Sequence, residues 1–530
     1  MSNESRSSSV GKIMFVTFFE GVAVMAAEIL SARMVSPVFG TSITSWSFVL
    51  GITLMGLAAG YFFGGWLCKK GFNRIGLILA MAGVWLALLP LFATQLLGAT
   101  MYMGYYPGLI TSLLLILFPT LFFLGTLSPL LVHLIDQKLK ITGLSSGRIF
   151  SVSTMGGIIG ALLFGLFMLP EVGISISFYL LGAVLFLLSF LFPYGRGKTW
   201  IATGVLALVF LASNQLLRAE NSRKILYSSE GLLGQVKVVQ SEFWVKGKPE
   251  VLRMQLINNT LQGIINVNDP LKSYLEYQIL LKPIFENRVK EGNMLVLGLG
   301  AGLIYNLLGD NKNLQIDFVE IDPGIAKSAQ RYFIGPQRSK ENMNIFIDDA
   351  RHFTETTTNT YNGILVDTFA GETIPGHVLT LEALTKIRSL LKEDGLLVIN
   401  FHGNWSGEKG RGARSLYKTI EEAGFNLKVV PTDTMDSIER SLLFLCSFSN
   451  IDDLGDVKVP KSAQTFETEE GLLSSYFLDV QTSDLENDVL LTDDKQQLEH
   501  LLREVCLDWR RYCIKNYVQP FEKEKSLVFY

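Results

Sequence analysis

Apolar stretches long enough to cross a lipid bilayer fill the first two-fifths of the chain. A helix needs about 20 apolar residues to span the hydrocarbon core, and seven such stretches occur before residue 216. The polar opening Met1–Arg6 is followed by no small-residue cleavage site, so we expect the first helix to be retained. We therefore predict an all-α transmembrane bundle of seven helices over residues 1–218. Its spans lie near 13–33, 45–67, 76–97, 107–134, 149–169, 173–193 and 199–216.

Composition excludes several classes of function. The chain is 49% hydrophobic, and its net charge of -3 argues against nucleic acid as a partner, because phosphate binding requires a basic face. Four scattered cysteines are too few for a metal cluster or a disulfide framework, so we expect no metal. Glu20 and Glu28 fall inside the first predicted span. Ionisable groups in lipid are costly and suggest a function, with a structural ion pair in the bundle as the alternative.

The pattern changes at about Ile225. Short alternating runs predict a small antiparallel β domain over residues 225–290. Strands and helices alternate over 291–450, which predicts a doubly wound, mostly parallel sheet. Residues 451–530 form a C-terminal extension with a helix at about 496–516. The predicted strands are 294–298, 315–321, 344–348, 361–367, 395–401 and 441–448, and the predicted helices are 301–309, 323–334, 380–391 and 412–424.

A glycine-rich turn joins the first strand and helix of this alternating region. Gly298, Gly300 and Gly302 follow the apolar strand and let the backbone approach a ligand at the N-terminus of the helix. Such a turn is a weak signal alone. Glu320 strengthens it, because it ends the next strand about 20 residues further on, where a carboxylate accepts hydrogen bonds from ribose hydroxyls. Together they predict a site for a nucleotide-type cofactor.

Acidic residues also end the third and fourth strands. Asp349 could accept a hydrogen bond from an adenine amino group, and Asp367 lies at the mouth of the predicted site. The alternative for any one acid is capping of a helix N-terminus, which we favour for Asp322 and Asp348. Capping does not account for acids at three consecutive strand ends.

These residues carry a family resemblance. The segments Gly298–Gly302, Val319–Asp322, Ile347–Ala350 and Asp367 resemble the successive motifs of spermidine synthases, the polyamine aminopropyltransferases. Upstream, Asn258-Asn-Thr-Leu-Gln262 and Tyr274-Leu-Glu276 resemble the Asp-Gly-Val-Val-Gln and Tyr-His-Glu segments of that family. The resemblance covers roughly residues 225–450, and the whole layout is similar to the membrane-bound subgroup.

The resemblance implies a Rossmann-like domain of the S-adenosylmethionine-methyltransferase type. It implies aminopropyl transfer from decarboxylated S-adenosylmethionine, or a close relative, to a small-molecule amine, with release of methylthioadenosine. Asp367 would be the general base. No permanently bound cofactor is implied. The implied nucleoside-binding residues are Gln235, Gln262, Gly298, Gly300, Gly302, Glu320, Asp349 and Ala350.

The amine half of the family site is not matched. Leu275 replaces a histidine, and Ala301 and Ala370 replace aspartates that hold a cationic diamine. Two alternatives therefore stay open. One is methyl transfer from S-adenosylmethionine, or lyase-type release of methylthioadenosine, at the membrane. The other is a polyamine or cation carrier with a nucleoside-sensing domain. Glu372 or His377, in the loop after the fourth strand, could replace the missing contacts.

Basic residues predict how the chain lies in a multi-pass cell membrane. They follow the second, fourth and sixth spans, which places the N-terminus and the even-numbered loops in the cytoplasm. With seven spans the C-terminal region would face outward, although its implied co-substrate is cytosolic. Either 199–216 does not span, or the site works outside. The expected partners are an amine substrate and the lipid bilayer, with a homo-oligomer as a further possibility.

Overall fold

A computed structural model describes two parts of the chain, residues 3–192 and 225–518. Within them it leaves out residues 73, 232, 246, 273, 335–340, 370, 434–436, 450, 461–470, 482–484 and 487. The chain divides into two compact units, one comprising Met1–Arg223 with Lys525–Tyr530 and the other Lys224–Glu524. We call them the membrane unit and the soluble unit.

The described part of the membrane unit is helical. Five segments are long and apolar enough to cross a membrane, namely Val10–Phe39, Ile43–Lys69, Ile75–Met103, Phe118–Lys138 and Thr142–Val172. Two further apolar helices are shorter, and the seventh predicted stretch, 199–216, lies outside the described residues. The α-helices are α1 (Asn3–Phe39), α2 (Ile43–Lys69), α3 (Ile75–Thr100), α4 (Tyr105–Ile116), α5 (Phe118–Leu139), α6 (Thr142–Leu163) and α7 (Ile174–Ser189).

The prediction of one span over 107–134 is wrong, because two helices occupy it. Helix α4 ends at Ile116 and α5 begins at Phe118. Pro119 lies in the first turn of α5. Proline has no N–H group, so it cannot continue the hydrogen-bond ladder of the preceding helix.

Glycines let helices of the membrane unit pack backbone to backbone. A Cβ on Gly56 would lie 2.9 Å from the Leu121 Cβ, and one on Gly60 would lie 2.5 Å from the Phe122 carbonyl oxygen. Gly64 similarly meets Thr126. Later residues of α2 thus meet later residues of α5, and the two helices run in the same direction.

The soluble unit begins with the expected antiparallel sheet. Four strands pair in chain order, β1 (Ile225–Gly231), β2 (Gly234–Val245), β3 (Lys248–Ile257) and β4 (Thr260–Asn266). Asn258 and Asn259 join β3 to β4 with φ angles of 47° and 64°. Asparagine tolerates this left-handed conformation, which a two-residue hairpin of this type requires.

A seven-stranded sheet follows, in the order β10-β11-β9-β8-β5-β6-β7. Strands β5 to β9 are parallel, and β10 and β11 are antiparallel additions at one edge. The strands are β5 (Gly292–Leu297), β6 (Leu314–Glu320), β7 (Met343–Ile347), β8 (Tyr361–Val366), β9 (Leu391–His402), β10 (Asn426–Pro431) and β11 (Ser441–Ser447). The helices are α8 (Glu276–Arg288), α9 (Leu303–Leu308), α10 (Pro323–Tyr332), α11 (Ala350–Thr356), α12 (Leu381–Leu390), α13 (Arg411–Glu422) and α14 (Leu498–Cys513).

Apolar cores cover both faces of this sheet. Leu295 and Leu297 of β5 belong to one core, while Met294 and Val296 belong to the other. This is the arrangement of a doubly wound fold, as predicted. The prediction omitted α8, α11 and β10. Strand order reverses between β5 and β8, and ligands of such sheets bind outside the strand ends at that reversal.

Candidate active site

The glycine-rich turn after β5 lies against the end of β8. Gly298, Gly300 and Gly302 have φ angles of 96°, 53° and 72°, which side chains other than glycine rarely adopt. A Cβ on Gly298 would lie 2.2 Å from the Asp367 carbonyl oxygen. Gly298 therefore permits the close approach of the turn to the strand that carries Asp367.

Glu320 lies beneath this turn at the end of β6. Its Oε2 accepts hydrogen bonds from the backbone N–H groups of Leu299 at 3.2 Å and Gly300 at 3.4 Å, and Oε1 accepts from Asp322 at 3.0 Å. The side chain is 6% exposed. Burial raises the pKa of Glu320 to about 7, against the opposing effect of these hydrogen bonds.

The carboxylates after β6 and β7 include two helix caps. Asp322 accepts from the Gly324 N–H at 2.7 Å and caps α10, as predicted. For α11 the prediction is wrong, since Asp349 is the cap and Asp348 instead pairs with His352 at 2.8 Å. The backbone places Asp349, one residue later, directly before the first turn of α11.

Asp349 also contacts the loop after β8. Its Oδ2 lies 3.2 Å from the His377 Nε2. Burial raises the pKa of Asp349, but hydrogen bonds from the His352 N–H and the His377 ring outweigh it, so the pKa lies below its ordinary value. Ala350, which follows, begins α11 and is buried.

Asp367 follows β8 and is held by two side chains. The Tyr277 hydroxyl donates to Oδ2 at 3.2 Å, and the Asn400 amide donates to Oδ1 at 2.7 Å. The Asp367 N–H donates to the Leu297 carbonyl oxygen at 2.8 Å, which fixes the residue against β5. Burial raises the pKa of Asp367, and the hydrogen bonds from Asn400 and Tyr277 partly oppose this.

Tyr277 and Asn400 are site residues that the sequence analysis missed. Tyr274, in the segment that resembles the family's Tyr-His-Glu, has its hydroxyl bonded to Glu250 and 3.2 Å from the Asn266 amide. Tyr277 lies three residues later, in the first turn of α8. Asn400 is the polar residue in the otherwise apolar run Leu396–Phe401, and this contrast could have identified it as a candidate site residue.

The two predicted glutamines make different contacts. Gln262 of β4 donates to the Gly371 carbonyl oxygen at 2.9 Å and thus joins the small sheet to the loop after β8. Gln235 of β2 donates from its side chain to Glu230 at 2.9 Å, while its backbone N–H donates to Asn258.

Ala301 lies in an apolar contact. It is 2% exposed and clusters with Val238, Ile265, Leu303 and Phe333. A Cβ on Gly263 of β4 would lie 2.3 Å from the Ala301 Cβ, so this alanine fits against a glycine. Leu275 precedes α8, and Ala370 lies outside the described residues.

Both candidate replacements in the loop after β8 already have partners. His377 contacts Asp349, as described. Glu372 forms a buried ion pair with Arg510 of α14, and Arg510 also donates to the Asn258 carbonyl oxygen at 2.8 Å. Arg510 lies more than a hundred residues from the loop in sequence, and no local pattern pointed to it.

An imidazole and an indole ring pack together at the end of β9. His402 lies two residues after Asn400, and its ring centroid is 4.8 Å from that of Trp509. Burial, together with the charge of Arg440, lowers the pKa of His402 to about 4, so the imidazole is neutral at physiological pH. Across the described residues, no group of three or more His, Cys, Asp or Glu could hold a metal ion.

Comparison with known proteins shows which domain this region resembles. The spermine/spermidine synthase domain matches residues 284–429. A polyamine aminopropyltransferase of Vibrio vulnificus is 35% identical over 159 residues, which are 29% of this chain and 51% of that protein. Polyamine aminopropyltransferase 2 of Aquifex aeolicus is 23% identical over 420 residues, 77% of this chain and 82% of that protein.

A relative with a different name is also similar. The N-terminal histidine N-methyltransferase of Emericella nidulans is 36% identical over 119 residues, 22% of this chain and 20% of that protein. The residues that align with this chain thus make up about half of the Vibrio protein and a fifth of the Emericella protein. The match of residues 284–429 to the spermine/spermidine synthase domain agrees with the family that the motifs resemble.

Proposed function

We propose that the soluble unit transfers an aminopropyl group from decarboxylated S-adenosylmethionine to an amine and releases methylthioadenosine. The observation that carries this proposal is the placement of Asp367. Its carboxylate follows β8 at the reversal of strand order, held by Tyr277 and Asn400, next to the glycine turn above Glu320. The matched domain supports the same chemistry.

The nucleoside would bind on the β5–β7 side of the site. The ionised Glu320 would accept hydrogen bonds from the ribose hydroxyls, and Asp349 from the adenine amino group. Gly300 leaves room for the ligand beside the backbone, since a Cβ there would have Gln262 as its nearest neighbour, at 3.9 Å. Gln262 and Gln235 would contact the donor from the small sheet, with Ala350 at the start of α11.

Asp367 would act as the base. It takes a proton from the acceptor ammonium, and the freed nitrogen lone pair attacks the methylene carbon next to the sulfonium. The new C–N bond forms as the C–S bond breaks, and its electron pair leaves with sulfur as neutral methylthioadenosine. A sulfonium is already a good leaving group, so orientation and charge placement supply most of what the step requires.

A second candidate is methyl transfer from S-adenosylmethionine, or lyase-type release of methylthioadenosine. The observation in its favour is Ala301, whose side chain lies in an apolar contact. The family resemblance implies a diamine-binding carboxylate at this position. A cation leaving water requires such a partner. The similarity to the Emericella N-methyltransferase also favours methyl transfer.

The nucleoside product separates the candidates, because methyl transfer leaves S-adenosylhomocysteine whereas aminopropyl transfer and lyase-type release leave methylthioadenosine, and both products would be measured. The full-length chain in detergent micelles would be supplied with decarboxylated or intact S-adenosylmethionine, with and without a panel of diamines. We expect methylthioadenosine only from the decarboxylated donor and only when an amine is present. Asp367→Asn should abolish release while nucleoside binding persists, whereas Asp394→Asn, an exposed carboxylate of β9, should change nothing. Turnover of intact S-adenosylmethionine alone would refute the proposal.

We further propose that the apolar helices make this a multi-pass protein of the cell membrane. Five of them are long enough to span a membrane. Lys69 is the last residue of α2, and Lys138 lies in the last turn of α5. These basic residues favour the cytoplasm for the C-terminal ends of both helices. Labelling of single cysteines introduced at exposed sites of the soluble unit, in intact cells and in lysed cells, tests on which side the unit lies. A homo-oligomer stays a prediction.

A further inference from the structure

The first helix of the membrane unit buries two glutamates. Glu20 and Glu28 of α1 are 2% and 7% exposed, and among the described residues no basic side chain pairs with either carboxylate. A carboxylate in an apolar bundle is costly unless a proton or a cation compensates its charge. The two residues differ in what surrounds them.

Glu20 has the donors that a structural carboxylate requires. Ser128 of α5 donates to Oε1 at 2.9 Å, and Ser153 of α6 donates to Oε2 at 2.7 Å. Gly21 brings α1 and α6 together at this level, since a Cβ there would overlap the Ser153 carbonyl oxygen. Glu20 thus connects three helices.

Glu28 differs, because buried hydroxyl groups without hydrogen-bond partners occur on its own helix and on α5, among the residues that the structure describes. The Thr53 side chain of α2 lies beside its carboxylate. Ser31 is one turn further along α1, and Thr120 belongs to α5. The hydroxyls of these two residues are 1% exposed and have no hydrogen-bond partner in the part of the chain that the structure describes. Buried polar groups without partners are rare, so they indicate a bound group.

The directions of the helices place Thr120 at the level of Glu28. Helix α2 follows α1 after a connection of three residues, 40–42, and runs back along it. Because α5 runs in the same direction as α2, it runs opposite to α1, and Ser128 meets Glu20. Thr120 precedes Ser128 by as many residues as Glu28 follows Glu20, about 12 Å of helix in each case.

We propose that the membrane unit binds a primary alkylammonium cation at Glu28, with its other two N–H groups donated to hydroxyl oxygens of the set Ser31, Thr53 and Thr120. An ammonium group has three donors and no acceptor, which matches one carboxylate surrounded by hydroxyl oxygens. Calcium or magnesium would require more oxygen ligands. All four residues belong to the membrane unit, so this site does not depend on the proposed aminopropyl transfer.

Calorimetric titration of the purified full-length chain in detergent micelles with 1,4-diaminobutane tests the site. The titration uses an Asp367→Asn background, which removes the carboxylate proposed to act on the amine in the soluble unit. No nucleoside is added. We expect saturable binding that Glu28→Gln weakens about tenfold or more. Glu171→Gln, which neutralises an exposed carboxylate of the same unit, should leave it unchanged, and Glu20→Gln should retain most of it.

Thr120→Val provides a second variant that keeps every charge and should weaken binding several-fold, even where Glu28→Gln does not fold. The site is overturned when the Asp367→Asn chain shows no saturable binding, or when Glu28→Gln and Glu171→Gln bind equally well. Methylthioadenosine release by the unmodified chain is measured separately. Release without Glu28-dependent binding refutes only the membrane site, and binding without release refutes only the proposed transfer.

Discussion

Glu320 should make nucleoside binding depend on pH. Burial raises its pKa to about 7 in the free protein, whereas the proposed binding mode requires the ionised carboxylate to accept hydrogen bonds from two ribose hydroxyls. The ionised fraction falls from about 0.9 at pH 8 to about 0.1 at pH 6, and apparent affinity scales with that fraction. Affinity for methylthioadenosine should therefore fall about tenfold between these values, or about 1.4 kcal/mol.

The effect of pH on folding stability through Glu320 has the opposite sign to its effect on nucleoside binding. A carboxyl group whose pKa is raised in the folded chain favours folding while it is protonated. Glu320 thus contributes stability at low pH, and this contribution is lost as the pH rises through about 7. Bound nucleoside should counteract the loss, because it uses the ionised form.

Calorimetric titration of the full-length chain at pH 6, 7 and 8 measures the effect on binding. Two buffers with different ionisation enthalpies report proton release, which should be about one per nucleoside at pH 6 and close to none at pH 8. Glu320→Gln should bind more weakly by about 1–3 kcal/mol at pH 8 and show no pH dependence. Equal affinity at pH 6 and pH 8 in the unmodified chain, or a slope that survives in Glu320→Gln, would refute the reasoning.

Three further changes test other contacts of the site. Tyr277→Phe removes a hydrogen bond that lowers the pKa of Asp367, so the acid limb of the pH–rate profile for methylthioadenosine release should move to higher pH; an unmoved limb would argue against Asp367 as the base. Arg510→Met leaves Glu372 buried without its cation and should destabilise the soluble unit by about 3–5 kcal/mol in thermal unfolding, with partial recovery when Glu372→Gln is added. Gly298→Ala puts a Cβ 2.2 Å from the Asp367 carbonyl oxygen and should reduce both nucleoside affinity and turnover, so wild-type values for both would contradict the packing described.

The sequence predicted the soluble fold well because its signals are local. Buried parallel strands are continuous apolar runs, and turns between strands and helices need residues such as Gly298, whose φ of 96° excludes most side chains. Glu320 could be placed from its position at a strand end, since parallel strands present their carboxyl ends at one edge. The four-stranded antiparallel sheet followed from alternation alone.

The remaining features depend on contacts that local patterns do not encode. Arg510 reaches Glu372 from the C-terminal helix, and nothing near either residue in sequence indicates the other. Asp349 rather than Asp348 caps α11, because the exact start of a helix depends on tertiary packing. The break at Leu117 was missed for a different reason, since hydropathy does not register the missing N–H of Pro119.

The contact between Ala301 and Gly263 joins the turn after β5 to β4 of the small sheet. Gly263 cannot gain a side chain while Ala301 is present, because the Ala301 Cβ already occupies the space that a Cβ on Gly263 would need. An aspartate introduced at Ala301 would carry its charge among Val238, Ile265 and Phe333. Mutational paths that introduce a carboxylate at Ala301 for the proposed acceptor must therefore also change residues of the small sheet, and the effect of one substitution taken from a relative will depend on the residues around it.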